Sequence, residues 1–314
     1  MKIILIDAKN ALFRYGWAFK TLQTSDGTYT GAVYGILGLL QRLKRHHSNA
    51  RFAMVWDGEG KSWRHDYWAG YKSNRVKNGP IADGVKRILA QISTVTEATT
   101  MLGIPQFRVP RLEGDDAIAL VAKRLIGEDH EVIIYSSDKD FLQLMPLGVK
   151  VIHNAEEPVN VGWVNLKFRC APDKVLLVRS IAGDPSDAIP GILEGVGVVR
   201  AADIINAGCN PSYSDFEMHD LRLQRAWKHL IPRWDEIHRN YTLMKLVDFN
   251  TLPKRYSVSE CHCIGTAIED CVKSLLNYSP GHRYRSFLQM MGALEMAQFI
   301  SERHSLWQLQ RLPK

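Results

Sequence analysis

Three short apolar runs in the first half of the chain each stop at or beside an aspartate, with helical patterns between them. Lys2 to Ile6 runs into Asp7, Phe52 to Trp56 into Asp57, and Val132 to Tyr135 ends just before Asp138. Runs this short, bounded by polar residues, read as buried strands. Between them Val33, Ile36, Leu37, Leu40 and Leu43 recur at helical spacing, as do Val85, Ile88, Leu89 and Ile92, then Ile118, Val121, Ala122 and Leu125. The alternation predicts an α/β fold, a mostly parallel central sheet flanked by helices on both faces. Such sheets bind ligands beyond the carboxyl ends of their strands, where these aspartates fall.

The acidic residues form short signatures. Glu113-Gly114-Asp115-Asp116 opens the third helical stripe, and Ser136-Ser137-Asp138-Lys139-Asp140 closes the third strand. With Asp7, Asp57, Asp184 and Asp187 they make nine candidate metal ligands. Left bare, such a cluster would repel itself and take up protons. Divalent cations resolve the repulsion, and an all-oxygen donor set favours Mg²⁺ or Mn²⁺ over zinc. Acids at a helix start complement the dipole, which explains one or two of them but not three beside two Asp-terminated strands. Asp138 and Asp140 also suit a turn after a strand.

A further constellation, Gly183-Asp184-Pro185-Ser186-Asp187-Ala188-Ile189-Pro190-Gly191, reads locally as a helix cap, with Asp184 at the N-cap and Pro185 at the first helical position. Gly195-Val196-Gly197 then precedes an apolar helix from Val198 to Asn206 that Gly208 terminates. Glycines there let a tight turn present backbone N–H groups at a helix start, a seat for phosphate. As a dinucleotide fingerprint the segment fails, for it lacks the third glycine and a preceding strand.

A chain of 314 residues with 46% hydrophobic content can bury one large or two moderate cores. Its formal charge of +7 suits either a polyanionic partner or a solubilising surface. The first residues are too quickly charged for a signal peptide, no apolar run reaches spanning length, and five scattered cysteines form no disulfide framework. A cytoplasmic protein without membrane contact is expected. Cys261-His262-Cys263 with Cys271 lacks a second pair at zinc-ligand spacing. Leu221 to Leu246, with Arg222, Arg225, Lys228, His229, Arg233 and Arg239, reads as a basic helix broken at Pro232, suited to duplex contact or to plain solvation.

Taken jointly, Glu113-Gly114-Asp115-Asp116, Ser137-Asp138-Lys139-Asp140, Gly183 to Gly191 and Gly195-Val196-Gly197 resemble, in order and spacing, the flap endonuclease and 5′–3′ exonuclease family in its short bacterial or bacteriophage form. The resemblance covers roughly residues 1 to 250. Gly114 stands where alanine is usual, Ala188 where asparagine is usual and Asp7-Ala8 where Asp-Gly is usual, yet no carboxylate is missing.

The resemblance implies a metal-dependent nuclease core over residues 1–178, including an arch over about 61–100, and a helical DNA-binding region with the C-terminal segment over 179–314. It implies that Asp57, Glu113, Asp115, Asp116 and Asp138 hold a first Mg²⁺, that Asp138, Asp140, Asp184 and Asp187 hold or hydrate a second, and that Asp7 is an inner or outer ligand. Lys72 and Arg75 would contact the scissile phosphate, giving a catalytic set of Lys72, Arg75, Asp116 and Asp138. Arg64 would bind DNA, Tyr71 would stack on an unpaired base, and Lys86 and Arg87 are candidates to extend the strand-binding surface. Gly195, Gly197 and Arg200 would belong to a helix-hairpin-helix-type element carrying K⁺ and gripping duplex backbone without reading sequence. The expected partner is DNA with a 5′ flap, a nick or a free 5′ end, RNA–DNA primers included, acted on in replication or repair by a stand-alone monomer. Two rivals stand beside it. An aspartyl-nucleophile phosphatase lacks its second Asp after Asp7-Ala8, and a non-catalytic junction binder would not require so many carboxylates.

Overall fold

Ile3, Ile4, Leu5 and Ile6 are all fully buried, a pattern that requires a sheet covered on both faces. In a computed structural model, which describes residues 1–75, 78–153, 157–207, 228–277, 289–291 and 294, they form the middle strand of five. The chain runs β1 (Lys2–Asp7), α1 (Ala8–Ala18), α2 (Gly31–His46), β2 (Arg51–Trp56), α3 (Trp63–Tyr67), α4 (Pro80–Leu89), α5 (Ile92–Met101), β3 (Gln106–Arg108), α6 (Gly114–Ile126) and β4 (Glu131–Tyr135). A 3₁₀ segment over Lys139–Leu147 leads to β5 (Lys150–Ile152), α7 (Val161–Phe168), α8 (Val175–Ala182), α9 (Val198–Asn206), α10 (Trp234–Met244) and α11 (Val258–Leu276).

All pairings are parallel, in the order β3-β2-β1-β4-β5. The expected α/β architecture is therefore present. The register sets Asp7 beside Val55 and Ile6 beside Tyr135, so β1, β2 and β4 end level, and the strand order reverses at β1. Such a switch point opens a crevice at the strand ends. β3 and β5, of three residues each, were not anticipated, being too short to carry a periodic signal.

Alternation along β1 sends Ile4 and Ile6 to one face, against α1, α2 and α5, and Ile3 and Leu5 to the other, against α6 and α11. Each such side chain contributes about 1.5–3 kcal/mol on burial. The predicted stripe from Val85 to Ile92 is divided between two helices. Ile88 and Ile92 reach the core, while Val85 and exposed Leu89 face the cleft described below. α4 lies close on α1, for a β-carbon on Gly16 would fall 2.7 Å from Ile88 Cγ1 and one on Gly84 2.4 Å from Trp17 Cη2.

α7, α8 and α9 share a separate core with Ile237 of α10. The boundary expected after residue 178 falls inside α8, and residues from Leu246 to Leu275 return to the sheet's second face. α11 begins with a Ser257–Glu260 capping box, which satisfies donors at its first turn. Gly208, Arg222 and Arg225 lie outside the described residues. Pro232 sits in a 3₁₀ turn, Ile231–Arg233, that starts α10. Among the described residues no helix is long and apolar enough to cross a membrane.

Candidate active site

A cleft of about 670 Å³ opens above the ends of β1, β2 and β4, and eight of the nine singled-out carboxylates line it. Strand ends deliver Asp7 and Asp57. The first turn of α6 delivers Asp115 from a helix whose N-cap is Glu113. The loop after β4 supplies Asp138 and Asp140, and the turn after α8 supplies Asp184 and Asp187.

Asp7 accepts Asn10 N at 3.0 Å and Ser136 Oγ at 2.8 Å. Burial, with the Asp138 charge adding to it, pushes its carboxyl up to about 7. Asp57 accepts Gly114 N at 2.9 Å through Oδ1 and an ammonium proton of Lys9 through Oδ2. Glu113 accepts from Tyr71 Oη at 2.9 Å, Lys72 Nζ at 3.0 Å and Arg64 at 3.1 Å. Burial opposes its ionisation, but Arg64 and Lys72 outweigh it and hold the carboxyl at about 2. Burial and the neighbouring Asp116 raise Asp115 well above the usual carboxylate range. Asp138 accepts Asp140 N at 2.9 Å. Burial raises Asp140 to about 6 against the pull of Arg179, which ion-pairs with both Asp140 and Asp184. Burial also raises Asp187, 3.9 Å from Lys72 Nζ.

The ninth carboxylate, Asp116, stands apart from the other eight. Asp116 is fully buried and away from the cleft, with Oδ1 accepting Arg64 Nη2 at 2.9 Å and Val247 N at 3.0 Å and Oδ2 accepting Arg64 Nη1. Both of its oxygens are engaged in these contacts. Arg64, expected to contact DNA, is buried with it, and its guanidinium also donates to Leu243 O at 2.7 Å. Tyr71 is buried too, its hydroxyl spent on Glu113, and offers no face for a base.

Lys72 and Arg75 line the cleft as expected. Lys72 has a left-handed backbone, φ 54°, and its N–H donates to Asp187 O at 2.8 Å, which ties this segment to the Asp184–Asp187 turn. Lys86 and Arg87 lie off the cleft, Lys86 beside Asp83 and Arg87 over the Tyr29 ring at 5.1 Å. Gly195, with φ +73°, Gly197 and exposed Arg200 sit where α8 and α9 are joined, and a β-carbon on either glycine would meet open space.

Sequence reasoning missed Arg179, Lys9 and the apolar wall of Phe13, Trp17, Ile81, Val85 and Leu89. An arginine inside the apolar helix Val175–Ala182 is the signal for the first, since a buried cation needs a partner. Lys9 is legible as a cation in the first turn of α1, where the helix dipole disfavours it. Among the described residues no three ligands stand as a ready cage. Lys9 and Lys72 instead stand among the carboxylates as cations, and the donors are all oxygen, which fits hard divalent ions.

The model of the 5′-3′ exonuclease N-terminal, resolvase-like domain matches residues 2–169. A 5′-3′ exonuclease of Aquifex aeolicus is 31% identical over 78% of this chain and 81% of its own length. A thermostable DNA polymerase I of Thermus thermophilus is 32% identical over 65% of this chain, which spans only 24% of that polymerase. Among solved structures, the T5 5′-exonuclease with divalent zinc ions bound superposes with a TM-score of 0.66 at 18% identity, covering 88% of this chain and 99% of its own. The bacteriophage T5 flap endonuclease complexed with DNA and metal ions gives 0.65 at 19% identity over the same shares. These two likenesses speak for the fold. With the domain model matching more than half of the 314 residues and the Aquifex relative aligned over most of both lengths, the chain belongs to the 5′–3′ exonuclease family.

Proposed function

We propose that this chain is a structure-specific 5′ nuclease that hydrolyses DNA phosphodiester bonds with two Mg²⁺ ions, for which Mn²⁺ can substitute, trimming 5′ flaps and free 5′ ends in replication or repair. The observation that carries it is one cleft lined by eight carboxylates together with Lys72 and Arg75. Asp57, Glu113, Asp115 and Asp138 would hold one ion, and Asp138, Asp140, Asp184 and Asp187 would hold or hydrate the other, with Asp7 behind them. When bound, such ions supply an activated water and neutralise the leaving oxygen.

The protein's own groups do the rest. Lys72 and Arg75 neutralise charge on the phosphoryl oxygens. Arg64 and Arg179, from behind, fix Glu113, Asp140 and Asp184 in place. Phe13 and Trp17 of α1 and Ile81, Val85 and Leu89 of α4 form an apolar wall beside the acidic floor. The turn with Gly195, Gly197 and Arg200 would grip the duplex backbone away from the cut, with K⁺ at the hairpin, through backbone N–H groups and one guanidinium.

The test is cleavage of an end-labelled 5′-flap DNA with Mg²⁺ or with chelator. The reading predicts metal-dependent cutting near the junction. Tight binding without cutting in Mg²⁺ or Mn²⁺ would leave a junction-binding protein and overturn it.

A further inference from the structure

Asp57 has both oxygens engaged before any metal arrives. Oδ1 accepts Gly114 N at 2.9 Å. Oδ2 is ion-paired with Lys9. Lys9 lies in the first turn of α1, two residues after the Asp7 N-cap, where a positive charge opposes the helix dipole. Nothing in the packing of α1 requires a lysine there, since Ala8, Ala11, Leu12, Tyr15 and Gly16 make its buried face. The ammonium reaches into the cleft and meets the carboxylate at the end of the neighbouring strand, in a setting that is about one-third exposed for both side chains. Lys72 makes the same kind of contact with Glu113, at 3.0 Å. Two flexible ammonium groups thus stand among the carboxylates.

We propose that Lys9 is the resident counter-ion of Asp57: a divalent metal must displace it to recruit this carboxylate, and the released ammonium then takes a phosphate oxygen of the bound strand. The proposal rests on the metal-nuclease reading above. Its chemistry is exchange only, one cation for another on Asp57 and one anion for another on Lys9, and no bond is made or broken. An ammonium on a four-carbon stem suits the exchange, because it is a point charge that reorients freely.

The experiment titrates Mn²⁺ into DNA-free protein by calorimetry, for the native chain, Lys9→Met and Lys9→Arg. Removing a competing, partly exposed ion pair is expected to tighten Mn²⁺ binding by about two- to fivefold in Lys9→Met. Lys9→Arg, which keeps the charge and reports on folding, is expected to bind as the native chain does. With Ca²⁺ in place of Mg²⁺, anisotropy of a labelled 5′-flap DNA is expected to show weaker binding by Lys9→Met and a salt slope smaller by about 0.7 to 0.9. Unchanged or weaker Mn²⁺ binding in Lys9→Met, or an unchanged DNA salt slope, overturns the role of Lys9 alone. Absence of Mn²⁺ binding by the native chain overturns the metal-nuclease reading itself.

Discussion

Carboxylates in and behind the cleft are held in two ways. Asp57, Glu113 and Asp187 face the ammonium groups of Lys9 and Lys72, whereas Asp116, Asp140 and Asp184 are gripped by the guanidinium groups of Arg64 and Arg179. Lys9 is 36% exposed, but Arg64 and Arg179 are only 2% and 4% exposed. A buried guanidinium presents a rigid fork that satisfies two oxygens and is not exchanged by water. The partly hydrated ammonium of Lys9 makes one contact that solvent or another cation can replace, whereas Lys72, 14% exposed, bridges Glu113 and Asp187. Chemically identical side chains are thereby divided into exchangeable and fixed members. Glu113 stands between the two sets, held by Lys72 from the cleft and by Arg64 from behind.

The largest effect should come from Asp138→Asn, which removes a cleft carboxylate that no arginine clamps. Flap cleavage is expected to fall by on the order of 10³-fold with an unchanged urea midpoint, corresponding to several kcal/mol of transition-state stabilisation. Next comes the fixed set. Arg64→Met strands the buried charge of Asp116 and should lower unfolding free energy by about 3–5 kcal/mol, while Arg64→Met with Asp116→Leu should recover most of it. If the single variant unfolds no more easily in urea, the division between the two sets fails. Lys72→Met should show the opposite balance, a loss in cleavage of about 10²-fold with a smaller loss of stability than Arg64→Met, because Glu113 keeps its contact with Arg64.

The remaining effect is in pH dependence. Burial raises Asp7 to about 7 and Asp140 to about 6, so between about pH 4 and 7 the folded protein keeps protons that the unfolded chain has released. Stability of metal-free protein should therefore decline as pH rises through that window. Glu113, held at about 2, acts oppositely, adding stability as pH rises from about 2 to 4.5. Urea midpoints across pH, with and without Mg²⁺, check this, and Mg²⁺ should flatten the decline by taking the protons' place.

The central sheet was legible because β1, β2 and β4 each combine an uninterrupted apolar run with an acidic end. The eight cleft carboxylates were legible for the same reason, as short signatures tied to strand and helix ends. What escaped was which acid meets which base. Arg64 finds Asp116 across 52 residues and Arg179 finds Asp140 across 39, distances over which spacing carries no information. Arg64 and Tyr71 therefore read as DNA contacts in a basic segment although they are buried supports. α4 misled in another way, because one helix serves two apolar surfaces, with Ala82 and Ile88 in the core and Ile81, Val85 and Leu89 on the cleft.

The most direct test of the division compares adjacent residues, Asp115 lining the cleft and Asp116 clamped behind it. Mn²⁺ bound per chain would be counted by calorimetry for the native protein, Asp115→Asn and Asp116→Asn, with folding checked by circular dichroism. The division predicts that Asp115→Asn loses or weakens an ion, whereas Asp116→Asn keeps the native number and affinity. A folded Asp116→Asn protein that loses an ion, beside an Asp115→Asn protein that does not, would contradict it.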